Sequence, residues 1–282
     1  MNKTSNKTQH VRAPLKWPGG KYKLLDRVYK TLTPGKRLIE PFAGSCVVSL
    51  NAPYQRFLIN DKNTDVINFY KCIKNDKNEF IEYAKKYFNE KYNNKDEYYF
   101  LRDEFNSTTD IIYKSAILLY ISRHGYNGLL RYNLSGQVNV PMGQYKKPYF
   151  PEKEMQKFIQ LSKKSSFQNK DFELIMRKAE KGDVVYCDPP YVPLSTTANF
   201  TTYSSGGFNN HDQERLVRVA EEISAKGVNV LISNHATSYT RKLYSNAQRS
   251  EFLVRRMISC NGKNRNNVRE ILASYPARGA TK

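Results

Sequence analysis

Four short strand-like runs, each leading to a carboxylate, constrain this chain more than any other feature of it. Arg37-Leu38-Ile39 runs into Glu40, Arg56-Phe57-Leu58-Ile59-Asn60 into Asp61, Ser166-Phe167-Gln168 towards Asp171, and Asp183-Val184-Val185-Tyr186-Cys187 into Asp188. Short runs rich in β-branched and aromatic residues read as buried strands. Helical periodicity fills the spaces between them: Leu24, Leu25, Val28 and Leu32 share a face, Val47 to Leu50 form a short helix, and another passes through Ile67 and Tyr70. Strand–helix alternation with short links predicts an α/β fold with a largely parallel sheet. Ligands of such sheets bind outside the carboxyl ends of the strands, so the four acids converge on one crevice.

The last of these strands stops on Asp188-Pro189-Pro190-Tyr191. Two prolines in succession cannot donate to a ladder, and each fixes its own φ while restricting the residue before it. Asp188 is thereby held as a rigid acceptor with the flat ring of Tyr191 just beyond. Such a pair suits a planar, amino-bearing ring; it also suits a proline-rich turn with a packing tyrosine, and the tetrapeptide alone does not separate the two.

The ligand of the crevice is narrowed by what is absent. Glu40, Phe42 and Gly44 resemble a strand–turn–helix nucleotide loop, and Asp61 lies about where such folds place an acid for ribose hydroxyls. No Gly-x-Gly-x-x-Gly and no Walker lysine occur, which argues against a dinucleotide or a triphosphate. A cationic nucleoside such as S-adenosylmethionine suits acids better than a pyrophosphate would. Each acid taken singly also reads as a helix cap or turn residue.

Charge names the partner. The 282-residue chain carries 46 Lys and Arg against 26 Asp and Glu, a net charge of +20, interleaved with 21 Tyr and 14 Phe. This balance points to a polyanion, and with so many aromatics to nucleic acid over a membrane surface. Cys46, Cys72, Cys187 and Cys260 have neither metal-type nor disulfide spacing, and His124, His211 and His235 have no paired ligand spacing. No stretch has the length of a transmembrane helix, and residues 1–10 lack the apolar centre of a signal peptide. A cytoplasmic protein without metal or membrane is expected.

Residues 76–165 differ in character, with helical patches near 78–91, 96–106 and 110–123, then a glycine-rich segment from Arg123 to Lys147 in which Ser135-Gly136 predicts a hairpin turn. After Asp171-Phe172 a helix runs to Ala179. Beyond the polar loop 192–208, which reads as a lid, Asn210 and Gln213 predict a capping box for a helix with Leu216, Val219, Ala220 and Ile223 on one face and Gly227 at its end. Val228 to Ser233 is a further strand, a helix follows near 238–247, and runs at 252–260 and 268–275 predict an antiparallel pair around the basic loop 261–267.

Lys16-Trp17-x-Gly19-Gly20-Lys21, Glu40-Pro41-Phe42-x-Gly44, Asp61, the 123–147 segment and Asp188-Pro189-Pro190-Tyr191 occur in that order. This ordered set resembles the DNA adenine methylase family of N6-adenine methyltransferases over about residues 13 to 275. One departure is Cys46, where the family's Phe-x-Gly-x-Gly ends in glycine. The resemblance implies a Rossmann-like S-adenosylmethionine-dependent sheet (13–75 and 166–282), a mainly helical target-recognition domain with a β-hairpin inserted at 76–165, and a flexible tail at 1–12. It further implies a single chain acting on double-stranded DNA, with methyl transfer to N6 of a flipped adenine in GATC. Asp188, Pro189 and Tyr191 would be catalytic, Asp188 and the Pro189 carbonyl accepting from the amine and Tyr191 stacking on the base. Trp17, Lys21, Glu40, Phe42, Asp61, Asp171, Phe172 and Asp188 would line the cofactor pocket. Lys16, Asn127, Leu129, Arg131 and Pro141 would touch bases, Tyr126 would wedge where the adenine departs, and Tyr145 and Lys146 would complete the DNA contacts. N4-cytosine or RNA N6-adenine methylation, and a DNA-binding protein without activity, are the alternatives.

Overall fold

The computed structural model describes residues 10–192, 207–255 and 267–278. The tail before His10, most of the 192–208 loop and most of the 261–267 basic loop lie outside the described residues. The strands are β1 (Arg37–Glu40), β2 (Arg56–Asn60), β3 (Ser165–Gln168), β4 (Val184–Cys187), β5 (Asn229–His235), β6 (Gln248–Arg255) and β7 (Asn267–Tyr275). They form one sheet in the order β3-β2-β1-β4-β5-β7-β6, the first five parallel and β7 antiparallel between β5 and β6. The chain builds outwards from β1 through β2 to β3, then returns to start again at β4 on the other side of β1. The β1–β4 gap is thus the switch point at which such sheets open a crevice.

Period-two alternation fills both faces. Leu38, Phe57, Ile59, Val184, Tyr186, Leu231 and Leu272 enter one core; Ile39, Leu58, Val185, Val230, Ile232 and Ile271 enter the other. Burial of each such aliphatic side chain is worth about 1.5–3 kcal/mol, which fixes the register that aims the strand ends. β6 begins at Gln248, earlier than its apolar pattern suggests, because Arg249, Ser250 and Glu251 suit an edge strand that must not recruit another.

The helices are α1 (Leu25–Thr31), α2 (Val47–Asn51), α3 (Thr64–Lys85), α4 (Lys95–Ser107), α5 (Ile111–His124), α6 (Glu152–Ser162), α7 (Phe172–Met176), α8 (Asn210–Ala225) and α9 (Ser238–Leu243). Two stretches expected separately, one through Tyr70 and one from residue 78, are joined in α3 across a kink at Lys77 (φ 48°, ψ −117°), so α3 leaves the sheet and enters the 76–165 segment unbroken in sequence. α5 is apolar nearly all round and buried from Ser115 to His124, as a central helix must be. α6, which the sequence pattern left unassigned, stacks Phe158 on Tyr70 at 4.7 Å and near Phe167 at 6.0 Å, returning the chain to β3.

Two local expectations are corrected. The capping box of α8 is Asn209 with Asp212, one residue earlier than Asn210 with Gln213; this turns Gln213 inwards, where it is 2% exposed. Around Ser135-Gly136 the chain does reverse, with Asn133 and Gln137 exchanging backbone and side-chain bonds, but pairing is limited to isolated bridges at Tyr132–Val138 and Gly125–Met142 in place of a ladder. The side chain of Asn106 on α4 supplies what a strand neighbour would have, bonding both the amide and the carbonyl of Val138.

Candidate active site

Asp188 is fixed from two sides. Its Oδ2 pairs with the Lys21 ammonium at 2.8 Å, and its Oδ1 accepts from the Ser233 hydroxyl at 2.9 Å. Lys21 also donates to the Gly19 carbonyl at 2.7 Å and lies over the Tyr191 ring, 4.6 Å from its centroid. The Gly19-Gly20 turn is what brings a lysine from the N-terminal segment into β4's end. Tyr191 donates its hydroxyl to Glu270 of β7 at 3.2 Å and meets the His235 ring edge to face at 4.7 Å. Burial, then Asp188 and Glu270, push the Tyr191 phenol well up, so it stays protonated.

The other acids divide into two kinds. Asp61 faces the β1–α2 turn, its Oδ2 accepting from the Gly44 amide at 2.8 Å and its Oδ1 from the Asn63 amide at 2.8 Å. Asp171 caps α7 through the Glu173 amide and pairs with Arg215 at 2.6 Å. Glu40 is different. It is 2% exposed and turned towards α2, where the Ser49 hydroxyl and amide donate to it. Burial, against those hydrogen bonds, raises its carboxyl to about 8, with Asp188 and Asp61 adding to the shift. Glu40 is thus mainly a neutral acid at pH 7, buried against α2.

The floor of the crevice is bare backbone. Gly44 has φ +46°, and a Cβ there would lie 2.7 Å from the Trp17 ring. Cys46 also takes a left-handed conformation, φ 60°, which favours glycine, yet its side chain is wholly buried in the core shared by Leu15 and Val48, so the thiol does not project into the open space. Phe42 and Phe172 pack at 5.3 Å with Phe208 closing the triangle at 5.5 and 5.6 Å, and the Arg215 guanidinium covers Phe172 at 4.4 Å. A glycine cradle, an aromatic wall and carboxylates, with Lys21 and Arg215 already paired to acids, fit a nucleoside bearing hydroxyls and positive charge and do not fit a polyphosphate.

A second surface adjoins the first. Leu130, Val138 and Val140 are buried while Tyr126, Asn127, Arg131, Asn139 and Pro141 are exposed, so the 123–143 segment presents one polar, aromatic side. The Tyr126 amide bonds the Pro141 carbonyl at 2.8 Å, and Arg131 donates through Nε to Asn139 at 3.0 Å. Lys16 packs its stem on Gly128 and sets its ammonium 5.0 Å from the Tyr145 ring centroid. Burial, followed by repulsion from Arg123 and Arg12, lowers the Lys16 pKa. Asn93 holds the carbonyls of Tyr145 and Lys146, the latter exposed, and Leu129 is half-buried. Arg123 is not on this surface: its guanidinium is buried and bonds the carbonyls of Ala13 and Pro14.

The structure therefore gathers Lys21, Asp188 and Tyr191, sets Trp17 and Asp61 about Gly44, joins Phe42 to Phe172, and buries Glu40 against α2. Sequence reading overlooked Ser233, Asn234, His235, Glu270, Phe208, Gln213 and Arg215, since each acquires its role from a partner distant in the chain; the Ser233-Asn234-His235 end of a buried strand is the one signal that could have drawn attention.

A family model for D12 class N6 adenine-specific DNA methyltransferases matches residues 17–258. The DNA adenine methylase of Serratia marcescens is 46% identical over 265 residues, covering 94% of this chain and 98% of its own. That of Vibrio cholerae O1 (El Tor Inaba N16961) is 44% identical over 265 residues, covering 94% and 96%. The Escherichia coli K12 protein of the same description is 44% identical over 264 residues, covering 94% and 95%.

Proposed function

The chain belongs to the D12 class of N6 adenine-specific DNA methyltransferases, and from that premise we propose that it methylates adenine in GATC, using S-adenosylmethionine, after the base has left the duplex. The observation that carries the reading is Asp188, an acceptor clamped between Lys21 and Ser233 at the switch point beside an aromatic ring. Each oxygen of that carboxylate has spent one bond and retains capacity for another.

An adenine N6 amine is a poor nucleophile because its lone pair is delocalised into the ring. Hydrogen bonds from the amine to Asp188 and to the Pro189 carbonyl would draw the nitrogen towards a tetrahedral geometry and free the pair. Among the described residues, side chains bond the backbone of this loop at Pro190 and Val192 and none bonds the Pro189 carbonyl. Held by Lys21 and Ser233, Asp188 serves as an oriented acceptor without having to be a strong base. Tyr191 would stack on the base, its ring held by Glu270 and His235. Trp17, Lys21, Phe42, Asp61, Asp171 and Phe172 would hold the cofactor, with Glu40 beneath it. When bound, S-adenosylmethionine would supply the electrophilic methyl group.

Residues 76–165 would form the recognition domain. Lys16, Asn127, Leu129, Arg131 and Pro141 would read base edges, Tyr126, 53% exposed, would fill the gap left by the adenine, and Tyr145 and Lys146 would contact the backbone. The net charge of +20 offsets the unstacking cost of a few kcal/mol through phosphate contacts. Incubation with tritiated S-adenosylmethionine and duplexes with or without GATC tests the reading: label is expected in adenine of the GATC duplex. Equal label in both duplexes would refute the site, and label in cytosine the target.

A further inference from the structure

Two consecutive prolines leave the Asp188–Tyr191 loop without amide donors at its centre, so it has to be pinned through its carbonyls and through the amides that follow. The groups that do this lie on other elements. Gln213 of α8 donates through Nε2 to the Pro190 carbonyl at 2.9 Å. Asn234 of β5 accepts at Oδ1 from the Val192 amide at 3.1 Å and from the His235 amide at 2.9 Å. Its Nδ2 donates to Gln213 Oε1 at 3.1 Å and to the Tyr244 hydroxyl at 2.9 Å.

All three side chains are almost wholly buried, and their donors and acceptors match. The pattern has one sense only. Rotating the Asn234 amide would set its NH2 against two amide N–H donors, and rotating Gln213 would set its oxygen against the Pro190 carbonyl. The surroundings do not call for polar groups: the α8 face carrying Gln213 is otherwise Leu216, Val217 and Ala220, and Ile232 is buried two residues before Asn234. An apolar pair would fill this space without the liability of unmatched amides. It could not hold a proline carbonyl.

We propose that Gln213 and Asn234 are positioning residues for methyl transfer: they fix the peptide groups on both sides of Tyr191, and so the aim of Asp188 and the Pro189 carbonyl at the target amine. This rests on the assignment of Asp188 and Pro189 as the amine's acceptors. Neither residue touches substrate; both act through the loop.

Gln213→Met retains the volume but removes the bond to Pro190. Misaiming a reacting group by an ångström costs on the order of a hundredfold in rate, so single-turnover methyl transfer to a short GATC duplex should fall about ten- to a hundredfold. The Kd for that duplex should stay within about twofold, placing the loss in kcat and not in KM. Hydrogen exchange at the Val192 amide should accelerate, a readout that a loss of activity alone would not move. An unchanged single-turnover rate, or a rate loss matched by an equal loss of duplex affinity, would overturn the inference. If Gln213→Met fails to fold, Gln213→Leu carries the test: it fills the apolar face of α8 without offering the Pro190 carbonyl a donor, and the same loss is expected. Asp188→Ala measured alongside separates the two levels. Full turnover by Asp188→Ala sinks the site assignment itself, whereas its inactivity beside a fully active Gln213 variant sinks only the positioning role.

Discussion

Glu40→Gln should remove a pH dependence of stability that the parent carries. The Glu40 carboxyl titrates at about 8 in the folded chain against an ordinary 4.5, chiefly because it is buried. Between those values the folded state holds a proton that the unfolded state has released, so stability falls as pH rises. This is the reverse of a salt-bridged carboxylate. At about 1.4 kcal/mol per pH unit, the group costs the parent roughly 3 kcal/mol between about pH 5.5 and 7.5, and about 5 kcal/mol in all once pH exceeds the folded value. Glutamine has nearly the same shape and offers an oxygen to the Ser49 hydroxyl and amide, but it has no proton to lose. Urea denaturation across this range should show the parent weakening and the variant lacking that component, so that the variant is the more stable at alkaline pH. Parallel curves for the two proteins would refute both the burial argument and the claim that Glu40 is neutral at pH 7.

Asp188→Ala should bind duplex DNA as the parent does yet lose methyl transfer in the tritium assay; appreciable turnover would refute its role. Arg131→Ala removes the proposed base contact, and a bidentate arginine is worth about 1–3 kcal/mol, so discrimination between GATC and a site with one altered base pair should drop roughly ten- to a hundredfold; unchanged relative rates would refute the contact. Cys46→Gly should leave the calorimetric affinity for S-adenosylmethionine within about threefold, because the thiol is in the core while left-handed strain of about 1 kcal/mol is relieved. A tenfold or larger change in affinity would mean that the side chain reaches the ligand.

The sheet is legible because its signals are local. Val184, Val185 and Tyr186 announce a strand by composition, Pro189 and Pro190 end it, and the acids follow at fixed positions. What the strand ends then do is less legible. Glu40 and Asp61 look alike in sequence, but only the fold shows one turned into α2 and the other towards the Gly44 amide. Ser233 and Gln213 are ordinary polar residues until chain segments 45 and 23 residues apart meet. The α8 cap lies one position before the expected one since Asn209 and Asn210 are equivalent by propensity and only backbone geometry chooses between them. In the irregular 123–147 segment only the reversal at Ser135-Gly136 is legible, because Asn106 and isolated bridges, not a repeating ladder, hold the rest.

The stretch from Ala13 to Lys21 has a wider consequence. Arg123 grips the carbonyls at Ala13 and Pro14, Lys16 lies against Gly128 and Tyr145, Trp17 leans on Gly44, and Lys21 holds Asp188. Only four residues lie between Lys16, on the proposed DNA-facing side, and Lys21, on the carboxylate proposed to act, a span of at most about 18 Å even fully extended. So short a tether has little slack in which to absorb a displacement. If Lys16 meets DNA and Asp188 meets the target amine as proposed, a duplex that seats Lys16 badly would strain the segment that anchors Asp188, and the cost of a wrong sequence would fall on the speed of the chemical step as well as on the tightness of the complex.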